Sequence, residues 1–357
     1  MSDAISTSHY GTLPDGSAIR CYTLTNLHGL RVTLLDYGAT VASVEIPDRH
    51  GRRIDVTHGY DDLTGWLGNT SYFGANVGRY ANRIAHGKFT LDGKIHTLAT
   101  NNAPGGIPCH LHGGNMGFDK KLWAGRAVKK PGALGVEFTY VSPDGEEGYP
   151  GTVAVKITHW LTEKNELVIE YHATTDQPTI INLTNHTYWN LTGNPRQQIT
   201  GHKVQLESDA VLAVDQGLIP TGSKQPVKGT PFDFTRPQEI GSRIGVDDAL
   251  LRVGNGYDHC WVLREENGLR LAARVEEPQS GRVLELFTDQ PGVQFYTGNF
   301  LNGTAVGKGG VNYDFRTAFC LEPQGFPDAP NQPHFPSANL RPGQVYEHVL
   351  MYRFSTQ

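Results

Sequence analysis

The sequence predicts an all-β protein, a large antiparallel β-sandwich with few short helices. Three observations carry this. Runs with period-two alternation dominate the 357 residues, helical periodicity is nearly absent, and 42 glycines with 21 prolines supply many turns. No composition shift, charged run or Ser/Gly linker divides the chain, so residues 1–357 are read as a single domain. Two smaller sandwiches are the alternative, because strand patterns do not reveal which sheets share a core.

In chain order, "LRVTLLDYGATVASVEI" (30–46) opens the strand-like runs. "KFTLDGKIHTL" (88–98) reads as a hairpin with Asp92-Gly93 at its tip, the pair favoured by a type I′ turn. "LGVEFTYV" (134–141) is followed by "TVAVKITHWL" (152–161), where Val153, Val155, Ile157, His159 and Leu161 share one face and Lys156 and Thr158 take the other. "EKNE" then turns the chain into "LVIEYHA" (167–173). "INLTNHTYWNLTG" (181–193) reads as a strand with polar residues at almost every second position. "LRLAARV" (269–275), "RVLELFT" (282–288), "GVQFYTG" (292–298) and "VYEHVLMYRF" (345–354) complete the set. Helices are expected at 61–67 and after Thr235, where Gln238 would complete a capping box.

A net charge of −5 gives no electrostatic footprint for nucleic acid or an acidic membrane. Cys21, Cys109, Cys260 and Cys320 form no C-x-x-C pair and read as free thiols of a reducing compartment. With no apolar leader at the N-terminus and no long apolar run, the expected location is cytoplasmic. The sequons beginning at Asn182, Asn185 and Asn190 are then accidents of an Asn/Thr-rich stretch.

Polar groups interrupt the pattern where sheet filler would be expected. Asn82 and Arg83 lie in "GRYANRI", His110 and His112 in "CHLHGG", and His186 sits in the middle of 181–193. Asp258 and His259 follow in "NGYDHC", Gln294 and Tyr296 in "GVQFYTGNF", and Glu322, Gln324 and Asp328 in "FCLEPQGFPDAPNQP". Most have an ordinary reading: His159 as a core histidine with one satisfied nitrogen, Arg83 as a salt-bridging arginine, Asp258 as a turn carboxylate. His110 and His112, placed on one strand face, could be two metal ligands, but no third ligand lies at a diagnostic spacing, so no metal is expected. Glu322 is the exception. A carboxylate after Phe319-Cys320-Leu321 is expected to be half-buried, which is costly unless it is paired or functional. Tyr188, Trp189, Tyr257, Phe295 and Tyr296 lie close by in sequence. Carboxylates, amides, an arginine and aromatics together suit a sugar, with hydroxyls to bind and a ring face to stack.

The stretches "GRYANRIAHGKFTLDG", "LHGG", "GFDKKLW", "NLTNHTYWNL", "GYDH", "GVQFYTGNFL" and "CLEPQGFPDAPNQP" together resemble the aldose 1-epimerase family over nearly the whole chain. The resemblance implies a large antiparallel β-sandwich that interconverts the α and β anomers of free hexoses such as galactose and glucose, without cofactor or metal. It implies Glu322 as general base, His186 as the acid serving the ring oxygen, and His112 as its partner. It further implies Asn82, Arg83, Asp258 and Gln294 as holders of sugar hydroxyls, with Tyr188 and Tyr296 beside them. His259-Cys260-Trp261 departs from the family's usual neighbourhood after Asp258 and bears on pocket shape. In this chemistry a buried Glu322 has a raised pKa, and anionic neighbours are expected to favour the charged form of His186. Expected partners are a free aldose and, at most, a second copy of the chain (monomer or homodimer). Hexose-6-phosphate 1-epimerase relatives fit less well, since no Arg/Lys cluster awaits a phosphate. A glycoside hydrolase using Asp258 and Glu322 and a non-catalytic sugar-binding module are the rival classes.

Overall fold

Tight turns and alternating strands build the molecule, whose computed structural model describes residues 4–357. Residues 1–3, the start of the stretch read as lacking a leader, lie outside them. The Asp92-Gly93 tip has φ of 50° and 76°, the left-handed pair that a type I′ turn needs. Asn165, at φ 58°, turns Val153–Thr162 into Glu166–Thr175. Val153, Val155, Ile157, His159 and Leu161 are all buried, as their alternation requires. His159 accepts from the Asn76 amide at 3.2 Å through Nε2 while its Nδ1 has no partner, a core histidine.

Three sheets carry most of the chain, and their ladders are antiparallel. The first runs in chain order through Ala4–Thr12, Ala18–Thr25, Arg31–Leu35, Thr40–Pro47 and Arg53–Asp55. The second has nine strands, with the C-terminal strand Tyr346–Thr356 inserted between Glu166–Thr175 and Arg282–Thr288. The third has six, in the order Tyr188–Trp189, Phe319–Gln324, Gly292–Tyr296, Asp258–Leu263, Ser208–Val214, Pro220–Pro226. One apolar cluster joins them, taking Leu24 and Val32 from the first sheet, Ile157 and Tyr352 from the second, and Trp261 and Leu321 from the third. The Tyr352 hydroxyl donates to the Leu321 carbonyl at 3.1 Å, tying the second sheet to the third. Such packing of apolar sheet faces is the sandwich that the alternation predicts.

Both expected helices need comment. Leu63–Leu67 forms, capped by the Asp62 carboxylate accepting from Gly65 N–H at 3.0 Å. The capping box after Thr235 does not. The Thr235 hydroxyl donates to Asp233 at 2.6 Å, and Gln238 pairs with Val204 in a short strand. A six-residue helix forms instead at Ala249–Gly254, capped by Asp248. The 181–193 stretch is also not one strand. Thr184–Asn185 pairs with Asn76–Val77, and Tyr188–Trp189 pairs with Phe319–Cys320. Its asparagines hold the irregular backbone between: Asn182 donates to Ala81 O, Asn185 to Gly74 O, and Asn190 to Thr317 O. All four cysteines are free, and no helix among the described residues is long and apolar enough to cross a membrane.

The register of the third sheet positions the site. Asp258 is opposite Tyr296, Tyr296 opposite Cys320, and Cys320 opposite Tyr188. One row over, Gln294 is opposite Glu322. Directly opposed residues share a face, and so do residues two apart. Asp258, Gln294, Tyr296, Cys320, Glu322 and Tyr188 therefore stand on one side. Trp261, Phe295, Phe319 and Leu321 stand on the other, in the core.

Candidate active site

Sheet residues alone make a floor; loops supply the walls. The cavity of about 340 Å³ is lined by Asn82, Arg83, His112, His186, Tyr188, Asp258, Gln294, Tyr296 and Glu322, together with Tyr72, Asn102 and Phe300. Every residue that the family resemblance implied for the site lines this cavity.

His186 and Glu322 are the centre. Nε2 of His186 lies 3.6 Å from Oε1 of Glu322, and the two residues are 5% and 2% exposed. Glu322 is thus more deeply buried than its sequence context required, and its Oε2 has no partner. Burial raises its pKa well above the usual carboxylate value, the negative charge of Asp258 adds to this, and Arg83 opposes it. Burial also pulls His186 down to about 4, with Asp258 offsetting part of the shift. The expectation of a charged His186 is therefore corrected: desolvation outweighs the anionic neighbour, and the imidazole is neutral near pH 7. Burial thus disfavours the ionised form of both groups, raising Glu322 and lowering His186.

His112 joins from the opposite wall, its ring 5.1 Å from that of His186. It and Asn82 have φ of 50° and 64°, left-handed conformations that are uncommon for non-glycine residues and cluster at functional sites. They lock together: His112 N–H donates to Asn82 O, and Asn82 N–H donates to His112 Nδ1, both at 3.1 Å. With Nδ1 accepting and burial keeping the ring neutral, the proton of His112 sits on Nε2. Gly113 follows because a Cβ there would lie 1.7 Å from the Gly78 carbonyl oxygen.

The hydroxyl-binding side is already paired. Gln294 donates to Asp258 Oδ1 at 2.7 Å, Arg83 approaches Oδ2 at 3.8 Å, and Arg83 Nε donates to Asn102 at 3.3 Å. Tyr188 stacks on His186 with ring centres 5.1 Å apart.

Other expectations change. The strand bearing His110 ends at Leu111, so His110 and His112 do not share a face. His110 instead contacts Ala99 O and the Tyr149 hydroxyl, both at 2.7 Å. A third ligand-type side chain exists after all, through space: His112, His186 and Glu322 bring such atoms within 4.8 Å of one another. The protonated Nε2 of His112 makes this set a proton-donating one rather than a ready cation site. Of the five aromatics near these motifs, Trp189, Tyr257 and Phe295 face the core, leaving Tyr188 and Tyr296 in the cavity. Asp328 accepts from Ala85 N–H at 2.9 Å, and neither it nor Gln324 lines the cavity. His259, Cys260 and Trp261 also lie outside the lining, so the unusual run after Asp258 leaves the cavity wall unaltered. Tyr72, Asn102 and Phe300 were missed. Tyr72 sits in a loop, its ring 4.7 Å from His112, and Asn102 had the one signal, an Asn pair ahead of Pro104.

The aldose 1-epimerase family model matches residues 20–353. The chain belongs to the aldose 1-epimerase family. It is 48% identical to the galactose mutarotase of Bos taurus over 97% of both chains, and 37% identical to the aldose 1-epimerase of Escherichia coli (strain K12) over 96% of both. Among solved structures, the galactose 1-epimerase of Lactobacillus acidophilus NCFM superposes with a TM-score of 0.86 at 27% identity, over 99% of each chain. A C. elegans homologue of the epimerase family superposes at 0.84 and 30% identity, again over 99% of each.

Proposed function

We propose that this chain is a mutarotase, interconverting the anomers of free aldohexoses such as galactose and glucose, with Glu322 and His186 as its proton-exchanging pair. The observation that carries the reading is the buried His186–Glu322 contact on the floor of a sugar-sized polar cavity. Glu322, in its ionised form, takes the proton from the C1 hydroxyl, while His186, in its protonated imidazolium form and supported by His112, gives one to the ring oxygen O5. The C1–O5 bond breaks to the open aldehyde, rotation about C1–C2 turns the carbonyl, and reclosure with the proton transfers reversed gives the other anomer. Roles exchange between the two groups in each half, so that each serves as acid in one direction and as base in the other. Arg83, Asn82, Asp258 and Gln294 hold the remaining hydroxyls, and Tyr188 and Tyr296 border the ring.

The rival classes fit less well. Asp258 is engaged by Gln294 and Arg83, which suits a binder of hydroxyls better than a glycosidase carboxylate. A sugar-binding module has no use for a buried Glu322 beside His186. Among the residues lining the cavity Arg83 is the sole cation, which favours a free sugar over a hexose phosphate. The shared apolar cluster, reaching from Tyr22 to Phe354, supports one domain, and four unpaired cysteines support a cytoplasmic setting. Polarimetry on freshly dissolved α-galactose and α-glucose tests the function: enzyme should speed the approach to the equilibrium rotation, and an unchanged rate would overturn it.

A further inference from the structure

The imidazole that gives a proton to the ring oxygen is flanked by two tyrosine rings. Tyr188, from the sheet, lies 5.1 Å from the His186 ring centre at an interplanar angle of 24°. Tyr72, from a loop, lies 5.8 Å away at 31°. Rings this close to parallel turn their π faces, the electron-rich side of an aromatic, toward the imidazole, whereas the His112 ring meets it at 81°. The loop that carries Tyr72 is tied to His186 itself. Gly74 N–H donates to the His186 carbonyl at 3.1 Å, and His186 N–H donates to the Ala75 carbonyl at 2.8 Å. Asn69 Oδ1 braces the same loop, accepting from Ser71 and Phe73 N–H at 3.1 and 3.3 Å. Tyr72 is held there at φ 60°, a left-handed conformation that is costly for a bulky side chain and persists only where the surroundings impose it. Its ring already serves one cation, with Lys120 Nζ 5.5 Å from the centre.

We propose that Tyr72 is a positioning residue whose π face, together with that of Tyr188, stabilises the imidazolium form of His186. The role in catalysis rests on the mutarotase reading; the ring geometry does not. A cation within about 6 Å of a tyrosine ring centre is attracted by the ring quadrupole, most strongly where water is excluded, and His186 is buried. Burial is also what makes its charged form costly, and few groups offset this. Ionised Glu322, at 3.6 Å, and Asp258 favour the imidazolium. The His112 ring is neutral, and the Cys320 thiol, 3.6 Å from Nδ1, stays protonated. The nearby cations are themselves paired, Lys120 with Asp119 at 3.0 Å and Arg83 with Asp258 at 3.8 Å. A further carboxylate beside His186 would stabilise the acid but would also bind the Glu322 proton more tightly and weaken the base. A neutral π face stabilises the imidazolium without adding a charge.

The test varies the electrons of the ring and leaves its shape alone. Tyr72→Phe keeps a π face and serves as the reference, and stepwise fluorination of that phenyl ring drains the face with little change of volume. Full fluorination should lower the plateau kcat about tenfold, in graded steps, with KM little changed. It should also carry the acid limb of the pH–rate profile about one pH unit lower, because an imidazolium that is harder to form depresses both. Tyr72→Leu, which has no π face, should match the fully fluorinated ring. Nitrogen NMR of protein labelled at histidine, with the His186 signals assigned by their loss in His186→Asn, should show the His186 titration moving down by the same amount. A kcat and a His186 titration that are indifferent to fluorination overturn the proposal. So does a change confined to KM, which would make Tyr72 a surface for the sugar. If the titration responds as expected in a protein with no mutarotase activity, the aromatic contact stands and the functional reading fails.

Discussion

Replacing Glu322 by Gln should make the protein more stable at neutral pH while nearly abolishing its activity. The side chain is 2% exposed, Oε2 has no partner, and burial with the Asp258 charge raises its pKa well above 4.5. The folded state therefore holds this proton more tightly than the unfolded chain does. Stability is unaffected by the group below about pH 4.5, and falls as pH rises from there toward the folded pKa. Each pH unit separating the two titrations is worth about 1.4 kcal/mol. Unfolding entropy of about 2.1 cal/mol/K per residue gives roughly 0.75 kcal/mol/K for a chain of 357 residues, so each such unit shifts Tm by about 2 °C. Gln keeps the shape and cannot ionise, so it removes the penalty. It also cannot accept the O1 proton, and loss of a general base costs about two to four orders of magnitude in rate. Calorimetry at pH 4 and pH 7.5, with polarimetry on the same samples, measures both effects. The expected result is a Tm advantage for Glu322→Gln at pH 7.5 that vanishes at pH 4, with kcat at least about a hundredfold down. An equal Tm difference at both pH values, or a variant keeping more than about a tenth of wild-type kcat, would refute the argument.

Further outcomes follow from the same geometry. His186→Asn should depress kcat far more than it raises KM, because its proton moves only in the transition state, whereas Arg83→Ala should act mainly on KM; steady-state kinetics on both variants distinguishes the roles. The pH–rate profile should be bell-shaped, with an acid limb near pH 4 set by His186 and an alkaline limb set by Glu322, whose titration burial moves upward. Asp258→Asn removes the charge that helps raise Glu322, so it should move the alkaline limb to lower pH; a limb that stays in place would remove Asp258 from that role. Activity should survive exhaustive chelation, and loss with EDTA that one divalent ion restores would make His112, His186 and Glu322 a metal site.

The strands were legible because alternation is a local signal, and Val153 to Leu161 bury the residues it names. Gln238 failed because a capping box is also local, and pairing with Val204, a residue distant in sequence, overrode it. The 181–193 stretch kept a strand's composition while its asparagines served backbone groups of three other loops, a use that no periodicity reveals. Glu322, His186 and Asp258 stood out as polar groups in apolar or aromatic company. Their placement on one face depended on sheet register, which the sequence does not print. Tyr72 and Phe300 reach the cavity from loops, with nothing local to mark them. The charge state of His186 was misjudged because the depth of burial, rather than the presence of a carboxylate, decides it.

The central claim is that Glu322 and His186 open the ring at C1–O5 and leave the exocyclic C1–O1 bond intact. Sugar carrying heavy oxygen at C1 tests it most directly, with optical rotation and label followed in one reaction. The account predicts anomer exchange accelerated by enzyme, with label lost no faster than in the enzyme-free control. Label lost at the rate of anomer exchange would mean that C1–O1 breaks, as in a glycosidase, and would contradict the account.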